Sequence, residues 1–111
     1  MSLTRAFKET VQARAQRDAK FRRALLIEAI EALLAGELQV GKAILRDYIN
    51  ATIGFEALAE AVDINAKSLM RMLGPEGNPQ AANLFAVVKR LQDIEGVALE
   101  LRPVRQRRPS H

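Results

Sequence analysis

The segment LAEAVDINAKSLMRML, residues 58–73, limits most strongly what this chain can fold into. Phe55, Leu58, Ala59 and Val62 recur at helical steps on one side of it, and Leu69, Met72 and Leu73 do so on the other. Asp63-Ile64-Asn65 stands between them, where one continuous helix would least accept it. Two short helices with a tight corner account for both halves: Ile64 plugs the corner, Asn65 caps the second helix, and the small Ala59 permits close approach. The turn position that most often holds glycine holds Asp63, and a left-handed backbone there costs roughly 1 kcal/mol.

Such a pair, crossing steeply across a three-residue turn, is the helix-turn-helix arrangement. Its second helix projects, and a projecting helix of this kind enters the major groove with its N-terminal residues toward base edges. Asn65, Ala66, Lys67, Ser68 and Arg71 lie opposite Leu69 and Met72 and are the base-reading candidates. Arg71 can form paired hydrogen bonds to guanine O6 and N7, and Lys67 can reach a base or a phosphate. The unpaired amides of Phe55 and Glu56, at the start of the first helix, suit a phosphate. Lys89 and Arg90 are two further phosphate candidates.

The rest of the chain predicts more helices. A short one follows Thr4, with Phe7 and Val11 at helical spacing. Asp18 is placed to cap AKFRRALLIEAIEALLAGE, whose Phe21, Leu25, Leu26, Ala29, Ile30, Leu33 and Leu34 share a side, with Gly36 as the stop. A third helix, LQVGKAILRDYINATI, sets Leu38, Gly41, Ile44, Leu45, Tyr48 and Thr52 inward, with Gly41 allowing a close crossing and Gly54 closing it. GPEGNP at 74–79 is a stop and turn, with Gly74 as a left-handed cap. Helical spacing resumes from Gln80 to Asp93 at Leu84, Val88 and Leu91, with Phe85 beside them. In GVALELR the period changes to two, with Val97, Leu99 and Leu101 on one face, which predicts a strand over 96–102. The expected organisation is a single mainly α domain: N-terminal helices over 1–53, the helix pair and its successor over 54–95, the strand, and a disordered basic tail over 103–111.

Composition removes several chemistries. There is no cysteine and the one histidine is His111, so thiolate catalysis, zinc fingers and a histidine-centred acid-base or metal site are not expected, and no cofactor is called for. Glu56 and Glu60 lie one turn apart without a convergent partner, which argues against an enzyme. No apolar run long enough for a membrane span or a secretory signal is present, which points to a cytoplasmic protein. The net charge of +4 divides unevenly: residues 1–23 and the tail are basic, whereas 24–66 hold seven acids against Lys42 and Arg46. A basic partner suits the middle and a polyanion the ends.

RDYINATIGFEALAEA joined to KSLMRMLGPEGNP is a distinctive combination, and with FRRALLIEAIEALLAGE upstream it resembles the antidote half of bacterial type II addiction modules, the HigA-like antitoxins of the Cro/repressor-type helix-turn-helix group. The likeness covers most of residues 4–101. It implies a Cro/repressor-like bundle with an N-terminal helical extension. It also implies a transcriptional repressor that binds its own operator and neutralises a RelE/ParE-like toxin. Such toxins are basic, which makes Glu28, Glu31 and Glu37 the toxin-contact candidates. Tight operator binding needs two modules, because one buries only roughly 600 to 1,000 Å² on DNA, so a homodimer is expected, with Val97, Leu99 and Leu101 pairing across its axis or onto a toxin sheet. A stand-alone or prophage helix-turn-helix regulator without a toxin, and a helical protein-interaction module that does not bind DNA, are the alternatives.

Overall fold

The computed structural model of the protein describes residues 5–106. Thr4 and the tail beyond residue 106, including His111, lie outside the described residues. Six helices run in order among them: α1 (Arg5–Arg17), α2 (Ala19–Leu34), α3 (Leu38–Ala51), α4 (Phe55–Val62), α5 (Ala66–Met72) and α6 (Ala81–Glu95).

Local chemistry sets the boundaries. Asp18 caps α2 as its position predicts, Oδ1 accepting from the Phe21 amide at 3.1 Å. That hydrogen bond, reinforced by the charge of Arg14, holds its carboxyl below the usual range. Arg14 also lies 4.6 Å from the Phe21 ring centroid, so cation-π attraction joins the end of α1 to the first turn of α2. Gly36, at φ +84°, ends α2: the Gly36 amide reaches the Leu33 carbonyl and the Glu37 amide reaches that of Ala32, which together close a Schellman turn. Gly54, at φ +83°, lets the chain leave α3 and enter α4 at once.

Packing is densest between α2 and α3, with α1 laid against both. Gly41 makes the approach possible, because a Cβ there would sit 2.5 Å from Leu33 Cδ2 and 3.2 Å from the Ala29 carbonyl. The core runs from Leu26 and Ala29 through Leu45, Tyr48 and Ile49 to Leu58, Leu69, Leu73, Val87 and Leu91. Each fully buried leucine contributes about 1.5 to 3 kcal/mol. Those on α4 and α5 thus anchor two helices too short to persist alone.

One polar cluster borders this core. The Glu95 carboxylate, 2% exposed, accepts from the Tyr48 hydroxyl and from Arg22 Nε at 2.7 Å, with Arg23 Nε at 3.7 Å. Arg22 also donates to the Ala15 carbonyl at 2.9 Å, so one network ties α1, α2, α3 and α6. Burial first, then the bond to Glu95 and its charge, raise the Tyr48 phenol above its ordinary range.

Three expectations are corrected. No strand exists among the described residues: 97–106 is neither helix nor strand. With no second strand to pair with, the Val97 amide bonds the Gln92 carbonyl and the Leu99 amide bonds Gln92 Oε1. Val97 and Leu99 are half-buried, while Leu101 is exposed, so the alternating pattern reports the segment folding back onto the helices. The left-handed glycine in the second half of the chain is Gly96 at φ +70°, not Gly74. Leu34, Leu38 and Phe85 are exposed although they share spacing with core residues. Lys42, for which the sequence predicts no inward place, is fully buried.

Candidate nucleic-acid interface

The α4-α5 corner forms as the residues at 63–65 dictate. Asp63 sits at φ 58°, ψ 46°, the one non-glycine with positive φ among the described residues. Its amide reaches the Glu60 carbonyl, and the Ile64 amide reaches that of Ala59 at 3.0 Å. This is the same Schellman pattern as at Gly36, here closed by aspartate. Ile64 packs against the core and fills the corner. Asn65 then starts α5, Oδ1 accepting from the amides of Lys67 at 2.9 Å and Ser68 at 3.2 Å.

Burial sorts the side chains of α5. Leu69 and Leu73 are wholly inside, and Met72 is half-buried against them. Asn65, Lys67 and Arg71 are exposed, and neither cation has an ion-pair partner among the described residues. Ser68 is half-buried. Ala66 packs against the core, which leaves it the least available of the base-reading candidates. Ser68 and Arg71 share a cleft of about 320 Å³ with Asn78, Gln80 and Asn83. Those three amide side chains were not singled out by sequence spacing: Asn78 and Gln80 flank Pro79 in the turn before α6, and Asn83 lies in the first turn of the helix.

The cleft is held in place from behind. Lys42, on α3, donates from Nζ to the carbonyls of Gly74 and Gly77, each at 2.8 Å. Arg46, one turn on, donates to the Leu73 carbonyl. Two cations from α3 thereby occupy the C-terminal end of α5, where the helix dipole is negative and its last carbonyls lack partners. Gly77 permits this closure: a Cβ there would lie 2.0 Å from the Arg71 carbonyl and 2.5 Å from that of Met72. The 74–77 loop thus lies folded back against the Arg71 and Met72 carbonyls, beneath the backbone of α5.

The phosphate candidates fare unequally. No side chain caps α4, so the first-turn amides of Phe55 and Glu56 lack intrahelical acceptors, but the exposed Glu56 carboxylate already offsets the positive end of that helix. Lys89 is bound to Asp93 at 2.7 Å, with both side chains well exposed. Arg90 is exposed and has no ion pair among the described residues. The start of α6 is a further such place: Gln80 makes no cap hydrogen bond, the first turn holds no acid, and Gln80 and Asn83 border the Arg71 cleft, which Glu76 borders as well. An anion on those amides would sit beside α5.

Glu28, Glu31 and Glu37 are exposed, and they come together around one small concavity between α2 and α3. Among the described residues no helix is long and apolar enough to cross a membrane. Comparison of the chain with protein-family models, curated proteins and solved structures returned no match.

Proposed function

We propose that the protein is a sequence-specific DNA-binding transcriptional repressor that acts as the antitoxin of an addiction module, binding its own operator and a basic RelE/ParE-like toxin. The observation that carries the DNA half is the division of α5: Leu69 and Leu73 are buried to the last atom while Asn65, Lys67 and Arg71 stand in solvent on the same two turns. On this reading α4 and α5 are a helix-turn-helix pair, Arg71 and Lys67 face the major groove, and the amide-lined cleft follows the backbone beside them. The antitoxin half rests on the resemblance of RDYINATIGFEALAEA and KSLMRMLGPEGNP, supported by the acidic balance of residues 24–66.

Selection of bound duplexes from a random pool tests the DNA half directly. A conserved half-site should emerge, and Arg71→Ala should lose about 1 to 3 kcal/mol on it with relaxed preference at one base pair. Lys67→Ala should weaken binding and flatten its salt dependence. A pool that stays random at physiological salt would refute the reading. For the antitoxin half, the adjoining reading frame should encode a small basic protein that co-purifies with this chain.

A further inference from the structure

Exposed apolar side chains are concentrated on one part of the surface. Five of the nine large hydrophobic residues exposed among the described residues, Ile27, Leu34, Val40, Leu101 and Val104, line two concavities on the outward side of α2. The larger, about 370 Å³, is walled by Ile27, Ile30 and Leu34 on the helix and by Leu99, Leu101 and Val104 on the segment that follows α6. Leu34, Leu101 and Val104 are 62%, 77% and 84% exposed there. The smaller, about 240 Å³, has Ala32, Val40 and Ile44 as its floor and Glu28, Glu31 and Glu37 as its rim. Glu31 borders both.

Scattered apolar side chains on a surface need no explanation, but a contiguous apolar patch rimmed by charge marks an interface. The charges say which kind. None of the three carboxylates has an ion-pair partner among the described residues. An apolar floor under an acidic rim fits a lysine or arginine, whose aliphatic stem lies on carbon while its cation meets oxygen. The neighbouring cavity offers no polar wall except Glu31, Glu100 and Arg102 at its edge, and it fits a large aliphatic or aromatic side chain. A second copy is a poorer fit, because a two-fold interface sets the same patch against itself and brings Glu28, Glu31 and Glu37 toward their own counterparts.

We propose that this face of α2, completed by residues 99–104, is the docking surface for a protein segment that presents a basic side chain beside a large apolar one. It gives the protein partner of the proposed function a surface and a chemistry, and it depends on that reading for the partner's identity alone. No α5 residue lines either concavity, so both faces can be occupied at once.

Displayed random peptides, panned on the immobilised full chain without DNA, test this whether or not an operator exists. Enriched peptides should pair Lys or Arg with an adjacent Leu, Ile, Phe or Trp. Enrichment should fall at least tenfold on a Leu34→Asp/Leu101→Asp variant, and also on a Glu28→Gln/Glu31→Gln/Glu37→Gln variant. All five positions are exposed, so both variants should keep the parent helical signal, and this is checked by circular dichroism. Failure to enrich, enrichment of acidic peptides, or capture unchanged by both variants would overturn the proposal. So would a concentration-dependent dimer that Leu34→Asp/Leu101→Asp dissolves, since the face would then belong to a second copy. Failure of DNA selection alone leaves this inference standing.

Discussion

Lys42 gives the sharpest quantitative test of how the candidate interface is held. Lys42→Met keeps the length and most of the volume of the buried stem and removes only the ammonium, which bonds the carbonyls of Gly74 and Gly77 at 2.8 Å each. A buried carbonyl stripped of its donor costs about 1 to 3 kcal/mol, and since both glycines are half-buried, so that water can reach them in part, the lower half of that range applies to each. Against this, methionine avoids the cost of keeping a cation out of water, which is several kcal/mol before its hydrogen bonds are counted. The carbonyls already solvate that cation in the folded protein, so the net change is a loss of about 2 kcal/mol. For a chain of this size the melting temperature falls by roughly 6 to 10 °C. Urea unfolding measures the global effect, and amide hydrogen exchange over residues 73–78 measures the local one. Exchange there should accelerate more than in α2 or α3, and any operator affinity should drop further than the stability loss accounts for. A variant as stable as the parent, with exchange over 73–78 unchanged, would show that Lys42 does not hold the loop.

Three further outcomes follow from local geometry. Asp63→Gly relieves the one left-handed aspartate among the described residues and, after the extra entropy glycine loses on folding, should leave the protein as stable as the parent or more stable by up to about 0.5 kcal/mol in chemical denaturation. Asn65→Ala removes the acceptor for the Lys67 and Ser68 amides and should cost about 1 kcal/mol by the same measurement. The Tyr48 phenol ionises at higher pH in the folded protein than in the unfolded chain, where its value is 10.0. Its contribution is therefore complete below that pH and declines as pH rises, because the unfolded chain releases a proton that the folded one keeps. Between about pH 8 and about pH 11 the urea midpoint of the parent should fall more steeply than that of Tyr48→Phe, and parallel slopes would contradict the burial of that hydroxyl.

The α4-α5 corner was legible because every signal for it is local. Asn65 is two and three residues from the amides it caps, and the apolar spacing on each side of Asp63 needs no distant partner to be read. The same holds for Asp18 and for the close crossing at Gly41. What escaped the sequence depends on neighbours far along the chain. Lys42 is buried because carbonyls 32 and 35 residues away supply its acceptors, and nothing in VGKAIL announces them. Alternation over 97–101 marks one face as apolar, yet it cannot say whether that face meets a strand or, as here, folds back toward Ile27, Ile30 and Leu34 on α2. Helical spacing likewise places Leu34 and Phe85 on a core face, yet both stand mostly in solvent, because spacing ranks the sides of a helix without saying how far its neighbours reach. For the candidate site, Lys67 and Arg71 could be named from spacing, whereas Asn78, Gln80 and Asn83 became visible only once the loop closed beside them.

Gly77 has a consequence for variation at this locus. Its backbone has no positive φ, so the requirement is one of room alone, and the atoms in the way, the Arg71 and Met72 carbonyls, belong to the main chain and cannot rotate aside. Even alanine is therefore too large. A saturation library selected for folded protein should lose every codon but those for glycine at this position while tolerating many at the exposed Glu76 and Asn78 on either side. A single depleted column between two permissive ones would be the genetic imprint of a loop pressed against a helix end.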